Sequence, residues 1–276
     1  MTTGAAPNST DTIVLIHGLW MTSLSWERWV EHSRQAGYQV IAPAYPGLDV
    51  GIEALRKDPS AIEKLTIAGT ADHYARIIRE LDRPPVLVGH SFGGTLVQLM
   101  LDRGLGAVGI AIDSVPVKGV KIVPFSQVKA SLPVLGHIST RHKAVPLTLK
   151  QFEYAFTNAC TDEQSRQVYE RYHIPAPGRI VWDGVLANLS AHPATEVDFG
   201  KPDRAPLLLI AGGADHIMPP SVNSSNFEHY KQTSGAVVGF KEFPGRCHYT
   251  LGQDGWQDVA DFALTWAEHP VAGVIN

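Results

Sequence analysis

The sequence predicts an α/β protein in three layers, in which a mostly parallel sheet carries helices on both faces and a helical segment is inserted near the middle of the chain. Short apolar, β-branched runs alternate with helical stretches, which is typical of parallel sheets. One long interval interrupts that alternation. A chain of 276 residues, 44% of them hydrophobic, is long enough to bury the core of such a fold as one unit.

Apolar runs and helical spacing predict the individual elements of this sheet and its helices. The predicted strands are residues 13–16, 38–42, 86–88, 107–112, 207–210 and 237–243. Helical spacing of apolar residues predicts helices over residues 25–36, 68–81 and 254–268, each closed by glycine or proline. We therefore expect six strands with helices between them.

The interval of residues 117–202 breaks the alternation of strands and helices. It is too long for a structureless loop, because loops beyond about 15 residues are uncommon in compact domains. Helical patterns cover residues 152–156 and 163–172, and Pro175, Pro177 and Gly178 are predicted to be breaks. We expect residues 117–202 to form a helical cap inserted into a core of residues 1–116 and 203–276.

Ser91 lies in the most specific motif of the chain. The segment Gly89-His90-Ser91-Phe92-Gly93 follows a predicted strand and precedes a helical pattern, which is the context of a nucleophile elbow. The turn is so tight that the residues two positions from the serine must lack a bulky side chain. We therefore predict Ser91 to be a nucleophile, although the pattern alone also occurs by chance in simple turns.

A serine hydroxyl needs a nearby imidazole as base, and that imidazole needs a carboxylate to orient it. His248 follows the last predicted strand and precedes the last helix, so it would lie on a loop above the sheet. Asp215 comes just after the predicted strand 207–210 and is the favoured acid. Asp113, at the end of the strand 107–112, is the alternative.

Four segments together resemble the α/β-hydrolase superfamily: His17-Gly18, the serine motif, residues 209–215 and Cys247-His248. The order serine, aspartate, histidine agrees with that fold. The resemblance implies a six-stranded core similar to plant methylesterases and hydroxynitrile lyases, without the two leading strands of the full family sheet. It also implies that the backbone N–H groups of Leu19 and Phe92 form the oxyanion hole.

The predicted function is hydrolysis of a small to medium carboxylic ester through an acyl-enzyme, with no metal or organic cofactor. Lactone, amide or carbon–carbon bond cleavage, a lyase reaction of the hydroxynitrile lyase type, and non-catalytic binding of a small molecule remain alternatives. Aromatic residues of the cap either line the substrate pocket or only pack the cap. The residues predicted to contact substrate are Gly18, Trp20, His90, Phe125, Trp182 and Ile217.

Charge and cysteine content limit the possible partners. The net charge of −4, without blocks of like charge, does not predict binding to nucleic acid or anionic lipid. Cys160 and Cys247 are far apart in sequence and are expected to be free thiols. The N-terminal residues lack a signal-peptide pattern and no apolar run reaches about 18 residues. We therefore expect a cytoplasmic protein that does not bind membranes.

Overall fold

A computed structural model of the chain describes residues 11–233 and 235–275. The strands, in chain order, are β1 (Thr12–Ile16), β2 (Gln39–Ile41), β3 (Val86–His90), β4 (Val108–Ile112), β5 (Ala144–Val145), β6 (Ala176–Pro177), β7 (Leu207–Gly212), β8 (Val238–Phe243) and β9 (Gly273–Val274). Seven of them form a parallel sheet in the order β2-β1-β3-β4-β7-β8-β9, whereas β5 and β6 form a separate antiparallel pair. The predicted fold class is confirmed.

The expectation of six strands is wrong by one edge strand. The chain returns to the sheet after the last helix, and Gly273 and Val274 pair with Gly239 and Phe240 of β8. Two residues are too few to give an alternation pattern in the sequence, which is why this strand was not predicted. The six longer strands agree with the predicted runs to within three residues at each end.

Helices cover both faces of the sheet. They are α1 (Glu27–Gln35), α2 (Ile52–Lys57), α3 (Ser60–Glu63), α4 (Ile67–Arg79), α5 (Phe92–Asp102), α6 (Phe125–Leu135), α7 (Leu149–Ala155), α8 (Asp162–Tyr172), α9 (Gly178–Val185), α10 (Pro220–Thr233) and α11 (Trp256–Glu268). The central strands β3 and β4 are buried along their whole length. Such burial on both faces explains why these strands appear in the sequence as continuous apolar runs.

Residues 117–202, which we call the cap insertion, contain α6 to α9 and the β5–β6 pair. Gly178 is predicted to be a break, but in the structure it is the first residue of α9. A side chain at this position would collide with the Thr140 carbonyl oxygen. The glycine is therefore required by close packing inside the cap insertion, a reason that a local sequence pattern cannot reveal.

Helix α8 of the cap insertion is joined to the core by hydrogen bonds from one arginine. Arg56, at the end of α2, donates to the carbonyl oxygens of Tyr169, Glu170 and His173 at 2.8–3.1 Å. A cation at the carbonyl end of a helix also interacts favourably with the helix dipole. These contacts fix the C-terminal end of α8 against the core.

The first ten residues, to which part of the location prediction refers, lie outside the described residues. Over the ranges 11–233 and 235–275, no helix is both long and apolar enough to cross a bilayer.

Candidate active site

Ser91 lies between β3 and α5 with a backbone conformation that few residues adopt. Its φ of 57° and ψ of −120° place it in a strained region. A side chain on Gly89 would collide with the Gly93 carbonyl, and one on Gly93 would collide with the Ile16 carbonyl. Both glycines are therefore required for the sharp turn that raises Ser91 above the sheet, as the motif predicts.

The structure joins His248 and Asp215 in a fully buried pair. Nδ1 of His248 lies 2.6 Å from Oδ2 of Asp215, and the side chains of both residues are inaccessible to solvent. Oδ1 of Asp215 accepts hydrogen bonds from the N–H groups of Ile217 and Met218, each at 2.8 Å. The carboxylate is thus held on one side by backbone and orients the imidazole on the other.

Burial governs the protonation of this pair. It raises the pKa of Asp215, whereas the two backbone N–H groups oppose that rise. It lowers the pKa of His248 to about 3, because removal from water disfavours the charged imidazolium. At neutral pH the imidazole is therefore neutral, and the lone pair on one ring nitrogen is available to accept a proton.

The hydrogen bond between Ser91 and His248 is not formed in this structure. Nε2 of His248 is buried and has no hydrogen-bond partner among the described residues. The sequence places Ser91 and His248 at the same sheet edge, and the structure forms only the histidine–aspartate half of the expected triad. Catalytic hydrogen bonds are often long in the absence of substrate and shorten when it binds.

His90 connects the serine turn to the histidine loop. Its Nε2 donates to the carbonyl oxygen of His248 at 2.7 Å, and the two rings lie 4.7 Å apart. A Cβ on Gly18 would lie 2.8 Å from Cβ of Ser91 and 3.2 Å from Nδ1 of His90. His90, predicted to contact substrate, is buried against the His248 backbone, and Gly18 permits the close approach of the loop after β1.

Both predicted oxyanion donors belong to segments that lie close to Ser91. Phe92 is the first residue of α5, where the backbone N–H has no acceptor within the helix. Leu19 follows Gly18, which approaches Ser91 closely. The side chains of Leu19 and Phe92 are both buried, so their backbone positions are fixed by the core.

Trp20 joins the loop after β1 to the cap insertion. Its indole N–H donates to the Val145 carbonyl at 3.1 Å, and its own carbonyl accepts from the Ile174 N–H at 2.9 Å. Trp20 has a φ of 62°, which costs energy in a bulky residue. Phe156 packs against both Trp20 and His248, with ring centroids 6.0 and 4.8 Å away. The cap insertion therefore contacts both the loop after β1 and the predicted base.

The other predicted substrate contacts differ in position. Ile217 is buried beside Asp215 and donates to it. Trp182 donates to Oγ1 of Thr140 inside the cap insertion. Phe125 is 83% exposed on the outer side of α6, because that helix turns Ala130 and Val134 inward instead. The contact of Phe125 with substrate stays a prediction, and in this structure its side chain faces solvent.

Asp113, the alternative acid, lies at the end of β4 and close to the same histidine. Oδ1 accepts from the Gly212 N–H at 2.6 Å, and Oδ2 is buried without a partner among the described residues. Burial and the neighbouring Asp215 raise the pKa of Asp113 well above its usual range. Asp215, not Asp113, makes the hydrogen bond to Nδ1 of His248.

His90, Asp113 and His248 also offer three possible metal ligands within 4.8 Å of one another. One ring nitrogen of each histidine already makes a hydrogen bond. Nε2 of His90 donates to the His248 carbonyl, and Nδ1 of His248 is bonded to Asp215. We therefore assign these residues to hydrogen bonding within the site.

Comparison with known proteins identifies the family. Residues 13–269 match the profile of the alpha/beta hydrolase family. A search of curated proteins finds no significant match. Among solved structures, a monoacylglycerol lipase from Paleococcus ferrophilus is 23% identical, with a TM-score of 0.61 and coverage of 94% of both chains.

Two further structures are similar at lower identity. A methylesterase from Arabidopsis is 14% identical, with a TM-score of 0.66 over 93% of this chain and 98% of the other. A pyrethroid hydrolase from Sphingobium faniae is 16% identical, with a TM-score of 0.66 over 95% of this chain and 99% of the other. At these identities the structural matches establish the fold. The profile match over most of the chain, together with this fold, shows that the protein belongs to the alpha/beta hydrolase family.

Proposed function

We propose that the protein hydrolyses carboxylic esters through an acyl-enzyme on Ser91. The observation that carries this proposal is the buried pair of His248 and Asp215, 2.6 Å apart, which leaves Nε2 of His248 without a partner among the described residues. A neutral, oriented imidazole at the sheet edge that bears a strained serine is the arrangement that nucleophilic catalysis requires.

In the proposed reaction, Oγ of Ser91 attacks the ester carbonyl while Nε2 of His248 accepts the hydroxyl proton. Asp215 keeps Nδ1 protonated and stabilises the imidazolium that forms. The N–H groups of Leu19 and Phe92 donate to the oxygen that becomes negative. His248 then returns the proton to the departing alcohol. A water molecule next attacks the acyl carbon and gives a proton to Nε2 of His248, and the bond from the acyl carbon to Oγ of Ser91 breaks as His248 returns the proton to that oxygen.

The similar structures support this chemistry through their names, which are those of a lipase, a methylesterase and a pyrethroid hydrolase. Ser91 is only 5% exposed and His248 is fully buried. A substrate must therefore displace side chains where the cap insertion meets the core, where Phe156 packs against both His248 and Trp20 of the loop after β1. We propose that short acyl groups are preferred, since they require the least displacement.

A fluorophosphonate probe together with a series of p-nitrophenyl esters of increasing acyl length tests the proposal. We expect the probe to label Ser91 and the short esters to be turned over, with each added methylene changing kcat/KM by up to about 200-fold. Ser91→Ala should lose both labelling and turnover while circular dichroism stays unchanged.

The other outcomes separate the alternatives. Labelling of Ser91 without ester turnover would favour a lyase that uses the same side chains for proton transfer. Absence of labelling in a correctly folded protein would favour a binding function. Ester turnover that persists in Ser91→Ala would refute the serine mechanism itself.

A further inference from the structure

The two cysteines, 87 residues apart in the chain, lie close together in the structure. Sγ of Cys160 is 3.9 Å from Sγ of Cys247. Cys160 belongs to the loop between α7 and α8 of the cap insertion, whereas Cys247 immediately precedes His248. Both are free thiols. The expectation of free thiols agrees with the structure, but their proximity could not be predicted from the sequence spacing.

Backbone and amide hydrogen bonds on both sides hold these two loops together. The Tyr249 N–H donates to the Phe156 carbonyl at 2.9 Å, and the Asn158 side-chain amide donates to the Ala214 carbonyl at 2.8 Å. Gln253 accepts from the Cys247 N–H at 2.8 Å. These hydrogen bonds keep the two sulfur atoms near each other.

The thiol of Cys160 faces a cavity. Cys160 is partly exposed and lines a cavity of about 230 Å³ together with Gln164, Tyr249 and Gln253. Cys247 lies behind it and is fully buried. A cavity of this size admits a molecule as small as a peroxide, since one water molecule occupies about 30 Å³ of liquid volume.

We propose that Cys160 and Cys247 are a redox-active pair that forms a reversible disulfide when a hydroperoxide enters this cavity. The sulfur of Cys160 attacks one peroxide oxygen, the O–O bond breaks, and a sulfenic acid and water (or an alcohol) are formed. The sulfur of Cys247 then attacks the Cys160 sulfur. The S–O bond breaks, the hydroxyl leaves with the Cys247 proton as water, and the two thiols have together given up two electrons.

The acid–base properties of the pair agree with this order of events. The contact between the two sulfur atoms lowers the pKa of Cys160, whereas that contact and burial raise the pKa of Cys247. Because the thiolate is the reactive form, Cys160 reacts first and Cys247 second. To bond, the sulfur atoms must approach from 3.9 Å to about 2.05 Å, which small side-chain rotations and loop shifts supply.

Mass spectrometry of the intact protein after titration with hydrogen peroxide tests the proposal. We expect a loss of about 2 Da, the mass of two hydrogen atoms, with protection of both cysteines from alkylation. Non-reducing proteolysis should yield a peptide pair that links positions 160 and 247, and dithiothreitol should restore both thiols.

Single variants show which thiol reacts first. In Cys247→Ser, Cys160 has no partner, so its sulfenic acid should accumulate and be trapped by dimedone. In Cys160→Ser, the buried Cys247 should resist both peroxide and dimedone. Circular dichroism checks that each variant is folded.

Three results would overturn the proposal. One is oxidation of the wild type that stops at Cys160 as sulfenic or sulfinic acid without a link to Cys247. Another is a disulfide that forms only between two chains. The third is dimedone labelling of Cys247 in folded Cys160→Ser at a rate equal to that of Cys160 in Cys247→Ser.

Discussion

The carboxyl edge of the sheet and the cap insertion both contact His248, but they hold their residues in different ways. At the sheet edge, strand pairing and buried hydrogen bonds fix Ser91, Asp215 and His248. The cap insertion contacts this edge through Phe156 and through the loop residue Trp20, and its helix α6 exposes several apolar side chains. The difference predicts that the proposed chemistry depends on the core and that substrate access depends on the cap insertion.

The largest expected effect on kcat comes from replacing Asp215, one of the two aspartates at the sheet edge. Asp215→Asn should lower kcat by about 10⁴-fold, because an amide cannot keep Nδ1 of His248 in the required tautomer. The fold should persist, since an amide oxygen can still accept from the Ile217 and Met218 N–H groups. Steady-state kinetics with a p-nitrophenyl ester measures the change.

Asp113→Asn is the matched control for this substitution. Asp113 is equally buried, it makes no hydrogen bond to Nδ1 of His248, and an amide can still accept from the Gly212 N–H. We expect a decrease in kcat of less than about tenfold. If Asp113→Asn were the more damaging of the two, the role of the acid would pass to Asp113.

The pH dependence of kcat/KM tests whether the core keeps His248 neutral. Burial lowers the pKa of His248 to about 3, and a general base works only when it is deprotonated. Activity should therefore be lost only as the pH falls well below 6.5, the usual imidazole value. At pH 4.5 this predicts about 100-fold more activity than an exposed imidazole base would give.

Initial rates between pH 4 and 8 measure how kcat/KM decreases on the acidic side. Circular dichroism at each pH shows where the protein remains folded, and only those rates are used. An acidic limb centred at pH 6.5 or above would show that His248 is exposed to water in the working enzyme. The closed arrangement of the cap insertion would then not be the catalytic one.

The same difference between the core and the cap insertion explains which features could be predicted from the sequence. Parallel strands bring their carboxyl ends to one edge, so the positions of Ser91, Asp215 and His248 followed from local patterns. In the cap insertion the decisive contacts are non-local. Gly178 is required by the Thr140 carbonyl on another element, and Cys160 meets a residue 87 positions away. No period or motif encodes such contacts.

The exposure of α6 illustrates the same limit. Helix α6 contains Pro133 and has both buried and exposed apolar residues, so helical spacing did not identify it. Aromatic content alone could not distinguish Phe125, which faces outward, from Phe156, which packs on His248. Which side of a helix faces the core depends on tertiary packing.

Two tryptophans test whether the junction between core and cap affects catalysis. Trp20 donates to Val145 across the junction, and Trp182 donates to Thr140 within the cap insertion, both at 3.1 Å. Replacement of either by Phe should lower the free energy of unfolding by about 1 kcal/mol through the lost hydrogen bond. Only Trp20→Phe should also lower kcat, by roughly three- to tenfold, because Trp20 lies beside the predicted oxyanion donor Leu19.

Urea denaturation and steady-state kinetics on the two variants measure these effects. Equal kcat values for Trp20→Phe and the wild type would show that the Val145 contact does not position the loop after β1. A decrease in kcat for Trp182→Phe as large as for Trp20→Phe would place Trp182 at the substrate after all.

The smallest effect is expected on the outer side of the cap insertion. Phe125 is 83% exposed, so Phe125→Ser should change neither the free energy of unfolding nor that of transition-state binding by more than about 0.5 kcal/mol. Phe156→Leu is the positive control, since its ring lies 4.8 Å from that of His248, and it should lower kcat. Kinetics with the longest p-nitrophenyl ester is the most sensitive measurement. A several-fold rise in KM for Phe125→Ser with that ester alone would mean that α6 turns inward when substrate binds, which would extend the site beyond the residues that surround His248.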